Sequence, residues 1–171
     1  MSDFTYDAAG LVSLGLDEIA ALEGRTFSGP WFELDDRDRD AFAAATWLDQ
    51  VYPDPPPPEF GNDVVEGFLT LGLLDALWNQ VMRFDRESTY TMNYGLDRVR
   101  FVSPVRVGQR LRLELQVRQV SRRPDGLVVR LGCQIAIDGQ DRPGLVADWL
   151  LIVRPRGGDR YHTGDEGDCG V

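Results

Sequence analysis

The chain has 171 residues, 43% hydrophobic and 27% charged, which fits one folded domain with a single sizeable core and excludes an intrinsically disordered chain. Its formal charge of −10 disfavours nucleic acid and anionic membrane as partners, because binding to either needs cationic side chains against phosphates. All 18 basic residues are Arg, and the absence of Lys removes Schiff-base and lysine general-base chemistry.

The opening MSDFTYDAAG has neither a basic n-region nor an apolar h-region, so no signal peptide is expected and a cytoplasmic location is the default. Leu11, Leu14, Ile19 and Leu22 recur at roughly helical intervals before Gly24, so residues 1–23 read as an arm or short helix ahead of a domain at 24–156. RTFSGPWFEL, residues 25–34, carries aromatic residues around a Gly-Pro, which predicts a bent edge strand. Asp35 or Asp36 then supplies an N-cap for a helix with an acidic first turn, expected to run to about Asp49. The five prolines of VYPDPPPPEFGND favour a stiff, extended loop after it.

From Val64 to Phe84 the chain is apolar on nearly every face, the pattern of an enclosed helix about 30 Å long. Glu66 and Asp75 interrupt it too strongly for a membrane span. Strand-like segments follow: TYTMNYG, DRVRFVSPVRV, RLRLELQVRQV, LVVRLGCQIAI and LVADWLLIVRP. In the third, Leu111, Leu113, Leu115 and Val117 share one face and Arg110, Arg112, Glu114 and Gln116 the other. Turns are expected at Pro124-Asp125-Gly126 and Asp138-Gly139. Cys133, in a predicted strand, and Cys169 read as separate free thiols. Residues 157–171 read as a disordered acidic tail, whose spacing around the chain's single His, His162, does not form a metal site. The whole is an α+β pattern, an antiparallel sheet of about five strands curled around one long helix.

That arrangement resembles the hot-dog fold, and three stretches make the likeness more specific. VVEGFLTLGLL at 64–74 is similar to the "AHGFLT" helix start of the MaoC-like (R)-specific hydratases and dehydratases. MNYGLDRVRFVSPVRVG at 92–108 resembles their "NYG…RF…PV..G" block, and RPGLVADWLLIV at 142–153 their closing strand. With FSGPWFELDDRDRDAFAAAT at 27–46, the likeness spans roughly residues 24–155.

The resemblance implies addition of water to, or its removal from, acyl thioesters on coenzyme A or a carrier protein, without metal or redox cofactor. It implies an Asp and, five residues later, a His in the loop after the short helix, with a backbone amide at the Gly of "HG" for the thioester oxygen. Here Asp49 best represents that Asp, the residue five later is Asp54, and Glu66 stands before Gly67 where a second His is expected. The Asp/His dyad is not intact.

The candidate catalytic residues are therefore Asp49, Glu66 and Tyr52. Asp49 otherwise reads as a helix-end residue, Glu66 as a partner of the helix dipole, and Tyr52 as a packing residue. Asp54, Gly67, Thr70, Asn93 and Tyr94 are the candidate substrate-binding residues, Gly67 through its amide at a helix N-terminus. Arg98 and Arg100 read either as contacts to a thioester phosphate or as a solvated strand face. The expected activity is proton transfer next to a carbonyl on a small acyl or polyketide-derived substrate, as dehydration, hydration or a ring-closing conjugate addition. The competing reading is a non-catalytic acyl-binding subunit. The likeness implies either a homodimer or a heterodimer with another hot-dog chain.

Overall fold

The computed structural model describes residues 11, 13–52 and 61–157. Asp54, His162 and Cys169 lie outside the described residues, as do most of the proline-rich loop and the acidic tail.

β1 (Ser13–Leu14) leads into the short helix α1 (Leu16–Ala20), whose Ile19 is fully buried in the core. β2 (Thr26–Ser28) and β3 (Phe32–Glu33) follow, separated by the Gly-Pro that bends this edge. Helix α2 (Asp36–Ala45) starts on Asp35, whose side chain accepts from the Asp38 amide at 3.0 Å while the Asp38 carboxylate accepts from the Asp35 amide. The expected single helix to Asp49 breaks early. The Thr46 hydroxyl bonds back to the Phe42 carbonyl at 2.7 Å, and Trp47 takes a left-handed φ of 57° before the one-turn helix α3 (Leu48–Val51).

The apolar run from Val64 to Phe84 is three structures, not one helix. Val64 bridges to Arg106 and the Val65 amide donates to the Val105 carbonyl, so the run begins extended. Helix α4 (Gly67–Trp78) takes only twelve residues. After a turn, β4 (Arg83–Phe84) pairs in parallel with β1. Apolar composition marked the run as buried, but a fully apolar stretch has no periodicity that separates helix from strand.

The remaining strands build the main sheet: β5 (Thr89–Phe101), β6 (Arg110–Arg123), β7 (Gly126–Ile137) and β8 (Leu145–Pro155). Its order is β2-β6-β7-β8-β5, antiparallel throughout, with β3 added on β6. β6 and β7 join through Pro124-Asp125, one of the two expected turns. TYTMNYG and DRVRF are one strand, β5, with irregular register between Asn93 and Gly95 and between Asp97 and Arg100.

Alternation decides which face meets α4. Leu111, Leu113, Leu115 and Val117 of β6, Leu127 to Ile137 at odd positions of β7, and Leu145, Ala147, Trp149, Leu151 and Val153 of β8 are all buried on one face. Thr70, Leu74, Leu77 and Trp78 of α4 are buried too, with Trp78 edge-on to Phe84 and Trp149. Each such large apolar side chain contributes roughly 1.5–3 kcal/mol by leaving water. The opposite side of α4 stays open: Phe68 is 71% exposed, and β5, which pairs only with β8 among the described residues, presents Met92, Tyr94, Leu96 and Phe101 to solvent. No helix among the described residues is long and apolar enough to cross a membrane.

Candidate active site

Glu66 is the residue immediately before α4, in an extended conformation (φ −59°, ψ 133°). Its side chain makes no capping bond, so the reading as a simple helix-dipole cap has no hydrogen bond behind it. The backbone carbonyl of Glu66 accepts the first helical bond from the Thr70 amide at 3.2 Å, and the Thr70 hydroxyl approaches the same oxygen at 3.5 Å. Oε2 of Glu66 is buried and has no hydrogen-bond partner among the described residues. A buried, unpartnered carboxylate oxygen is costly, and such atoms concentrate where a ligand or chemistry supplies the missing partner.

Gly67 opens the helix against an aromatic wall. A Cβ at this position would stand 2.7 Å from the Phe101 ring, so the close approach requires glycine. Phe101 in turn meets Phe68 edge-on at 5.9 Å. The first-turn amides of α4 have no intrahelical acceptor, so they present N–H donors beside Glu66. Glu66, Gly67 and Thr70 thus form one turn, with a carboxylate, free amides and a buried hydroxyl.

Asn93 and Tyr94 come together in a second place, a largely apolar cleft of about 520 Å³ between α4 and β5 that Phe68, Leu71 and Trp149 also line. Asn93 is held from both sides. Its Oδ1 accepts from the Trp149 indole at 2.9 Å, which leaves its amide nitrogen to face Asp75 Oδ2 at 3.5 Å. The other Asp75 oxygen accepts from the Trp78 indole at 3.1 Å. Sequence reasoning missed Asp75 as a functional neighbour, although it is the same kind of signal as Glu66, a carboxylate in an apolar run.

Asp49 and Tyr52 belong to a different part of the chain from both. They lie on and just after α3, which packs against α2; Tyr52 is 72% exposed, and neither residue makes a hydrogen bond or ion pair with Glu66. Arg98 does not face open solvent alone, since it pairs with Asp148 at 2.6 Å, and Arg100 turns back onto the Val99 carbonyl at 2.7 Å. No group of His, Cys, Asp and Glu among the described residues is arranged to hold a metal ion.

Residues 57–132 match the model of the MaoC like domain. Nodulation protein N of Rhizobium leguminosarum bv. viciae is 39% identical over 140 residues, 76% of this chain and 84% of that protein. The 3-hydroxyacyl-thioester dehydratase Z of Mycobacterium tuberculosis is 30% identical, covering 79% of this chain and 92% of that protein. The chain belongs to the MaoC-like dehydratase family. An R-hydratase from Pseudomonas aeruginosa shares the architecture, with a TM-score of 0.59 at 21% identity over 77% of this chain and 81% of that one, and the fold is the hot-dog fold.

In this MaoC-like chain the α4 turn carries Glu66, Gly67 and Thr70 in that order. Phe101, absent from the sequence-level candidates, closes that turn. The signal for it was Gly67 itself, since glycine is the default residue where the backbone must approach a neighbour closely.

Proposed function

We propose that this MaoC-like protein moves a proton next to the carbonyl of an acyl thioester, with Glu66 as the group that carries it. The observation that carries this reading is the buried Glu66 Oε2 without a partner, beside the first-turn amides of α4. In a dehydration, the Glu66 carboxylate takes the proton from the α-carbon of a 3-hydroxyacyl group. The electron pair flows into the carbonyl, and the Gly67 amide donates to the oxygen that gains charge. The enolate then expels the β-hydroxyl, which leaves as water with the proton returned by Glu66. One carboxylate serves both transfers if the two leaving groups lie on the same face, so no histidine is required.

The same donor and base suit an intramolecular conjugate addition on a polyketide-derived substrate, where an apolar pocket contributes by orientation. The carrier is coenzyme A or an acyl carrier protein. A second hot-dog subunit docks on the open side of α4 and the free edge of β5, where Phe68, Tyr94 and Leu96 are exposed. The direct test is the rate of water loss from a 3-hydroxyacyl thioester by the wild type and by Glu66→Gln. Conversion by the wild type that disappears in the variant supports the reading, and equal rates overturn it.

A second reading has its own observation. Asp49 and Tyr52 are exposed and unconnected to Glu66, and the chain's single His lies at 162. On this reading the chain is a non-catalytic acyl-binding subunit, and co-purification with a second hot-dog chain bearing an intact Asp/His dyad distinguishes it.

A further inference from the structure

The face of the sheet turned away from α4 carries an arrangement that the acyl chemistry does not use. Asp148 of β8 sits there with its side chain 3% exposed, in register with Gly132 on one side and Asp97 on the other. Its Oδ1 accepts from Arg118, and its Oδ2 meets Arg98 at 2.6 Å and Arg130 at 3.5 Å. Arg130 also binds Asp97 at 2.8 Å. Three guanidinium groups thus face two carboxylates, a local surplus of one positive charge in a chain of net charge −10. Neutralising the buried carboxylate does not need the third arginine.

Two local sacrifices keep that surplus in place. Arg118 reaches Asp148 by lying across β7 over Gly132, where a Cβ would stand 2.6 Å from its Cζ. Arg98 adopts a left-handed φ of 51° within the irregular register between Asp97 and Arg100. A non-glycine residue held there is strained, and such outliers concentrate at ligand sites. Arg98 and Arg118 are also the accessible members of the cluster, with side chains 74% and 45% exposed. Both line a cavity of about 490 Å³. Each guanidinium spends one terminal nitrogen on Asp148 and has no other partner among the described residues, so further N–H donors are available to a ligand.

We propose that this cavity binds a ligand with a phosphate-type oxyanion, held by Arg98 and Arg118, at a site separate from the α4 turn. Guanidinium forks match the paired oxygens of such a group. Glu114, which lines the same cavity and is held by Arg112 at 2.5 Å and Gln134 at 2.7 Å, fixes the orientation. It repels a second negative charge, so the anion lies at the arginine end and the rest of the ligand is uncharged where it passes Thr26 and Ser28.

The test titrates the full-length protein with inorganic phosphate and, separately, glycerol 3-phosphate at constant ionic strength, with chloride as control, following the arginine Nε–H resonances by NMR. The expected result is saturable shifts of the Arg98 and Arg118 signals, weakened about tenfold or more in Arg98→Gln and in Arg118→Gln. Tighter binding of the ester assigns the site to a phosphoester-bearing ligand, and equal binding assigns it to free phosphate. Absence of saturation, equal shifts with chloride, or unchanged affinity in both variants overturns the proposal. Should Arg118→Gln fail to fold, the exposed Arg98→Gln decides alone.

Discussion

Glu66 and Asp49 are both carboxylates at the start of a helix, one just before α4 and one in the first turn of α3, and their surroundings are opposite. Glu66 hides an unpartnered oxygen at the mouth of α4, whereas Asp49 is exposed on a one-turn helix. Steady-state kinetics on a 3-hydroxyacyl thioester should therefore show Glu66→Gln slowed about a hundredfold or more, with Asp49→Asn within about twofold of the wild type. Gly67→Ala should act through packing, since the added methyl meets the Phe101 ring and costs about 1–3 kcal/mol in urea unfolding, with partial recovery when Phe101 is shortened to Leu. Burial pushes the Cys133 thiol up to about 12, so iodoacetamide at pH 8 should leave it unmodified until the protein unfolds. Glu66 was legible in the sequence because a carboxylate in an apolar run asks for a reason. The break that puts Asp49 on a separate one-turn helix was not, because it comes at the left-handed Trp47, a residue type that gives no warning of positive φ. The Asp75–Asn93–Trp149 chain of bonds depends on the register of β5 on β8, which periodicity does not specify.

At the level of elements, alternation identified β6, β7 and β8 because one face of each is buried in the core and the other is not. The ends of α4 were misjudged for the complementary reason, that Val64, Val65 and Phe84 are apolar in any conformation. The all-round apolarity of α4 had a different meaning from the one it suggested: the sheet covers Leu74 and Leu77 while Phe68 stays exposed. Leu74→Ala should cost about 2–5 kcal/mol, measured by chemical denaturation, because the cavity lies between helix and sheet. Acid sensitivity belongs to this scale too. The Asp38 amide at the head of α2 holds the Asp35 carboxyl below its ordinary value, and the Ser88 hydroxyl does the same for Asp85. A carboxylate with a depressed folded pKa contributes stability that is present above its unfolded pKa, near 4, and lost as pH falls through the folded value. Far-UV circular dichroism between pH 5 and 2 should show helix loss with falling pH, shallower in Asp35→Ser, which keeps a capping oxygen but does not titrate.

For the molecule as a whole, the open side of α4 adjoins an edge of β5 that is unpaired among the described residues, and the two bear on assembly together. A thirteen-residue strand that pairs on one side alone among the described residues, with Met92, Tyr94, Leu96 and Phe101 exposed along it, invites pairing with another strand. Sedimentation of the 19.2 kDa chain should give about twice that mass alone or with a second hot-dog chain, and Phe68→Glu with Leu96→Glu should yield the monomer. A monomeric wild type that never acquires a partner would refute the docking surface without touching the role of Glu66.

The crossing of Arg118 over Gly132 also constrains how this chain can change over time. The two positions lie on neighbouring strands, and a side chain at 132 would displace the guanidinium that reaches Asp148. A larger residue at 132 therefore costs the Arg118 contact unless position 118 shortens as well, and it leaves Asp148 to Arg98 and Arg130. Positions 118, 132 and 148 should vary among descendants of this sequence as a single inherited unit, with glycine retained wherever arginine is.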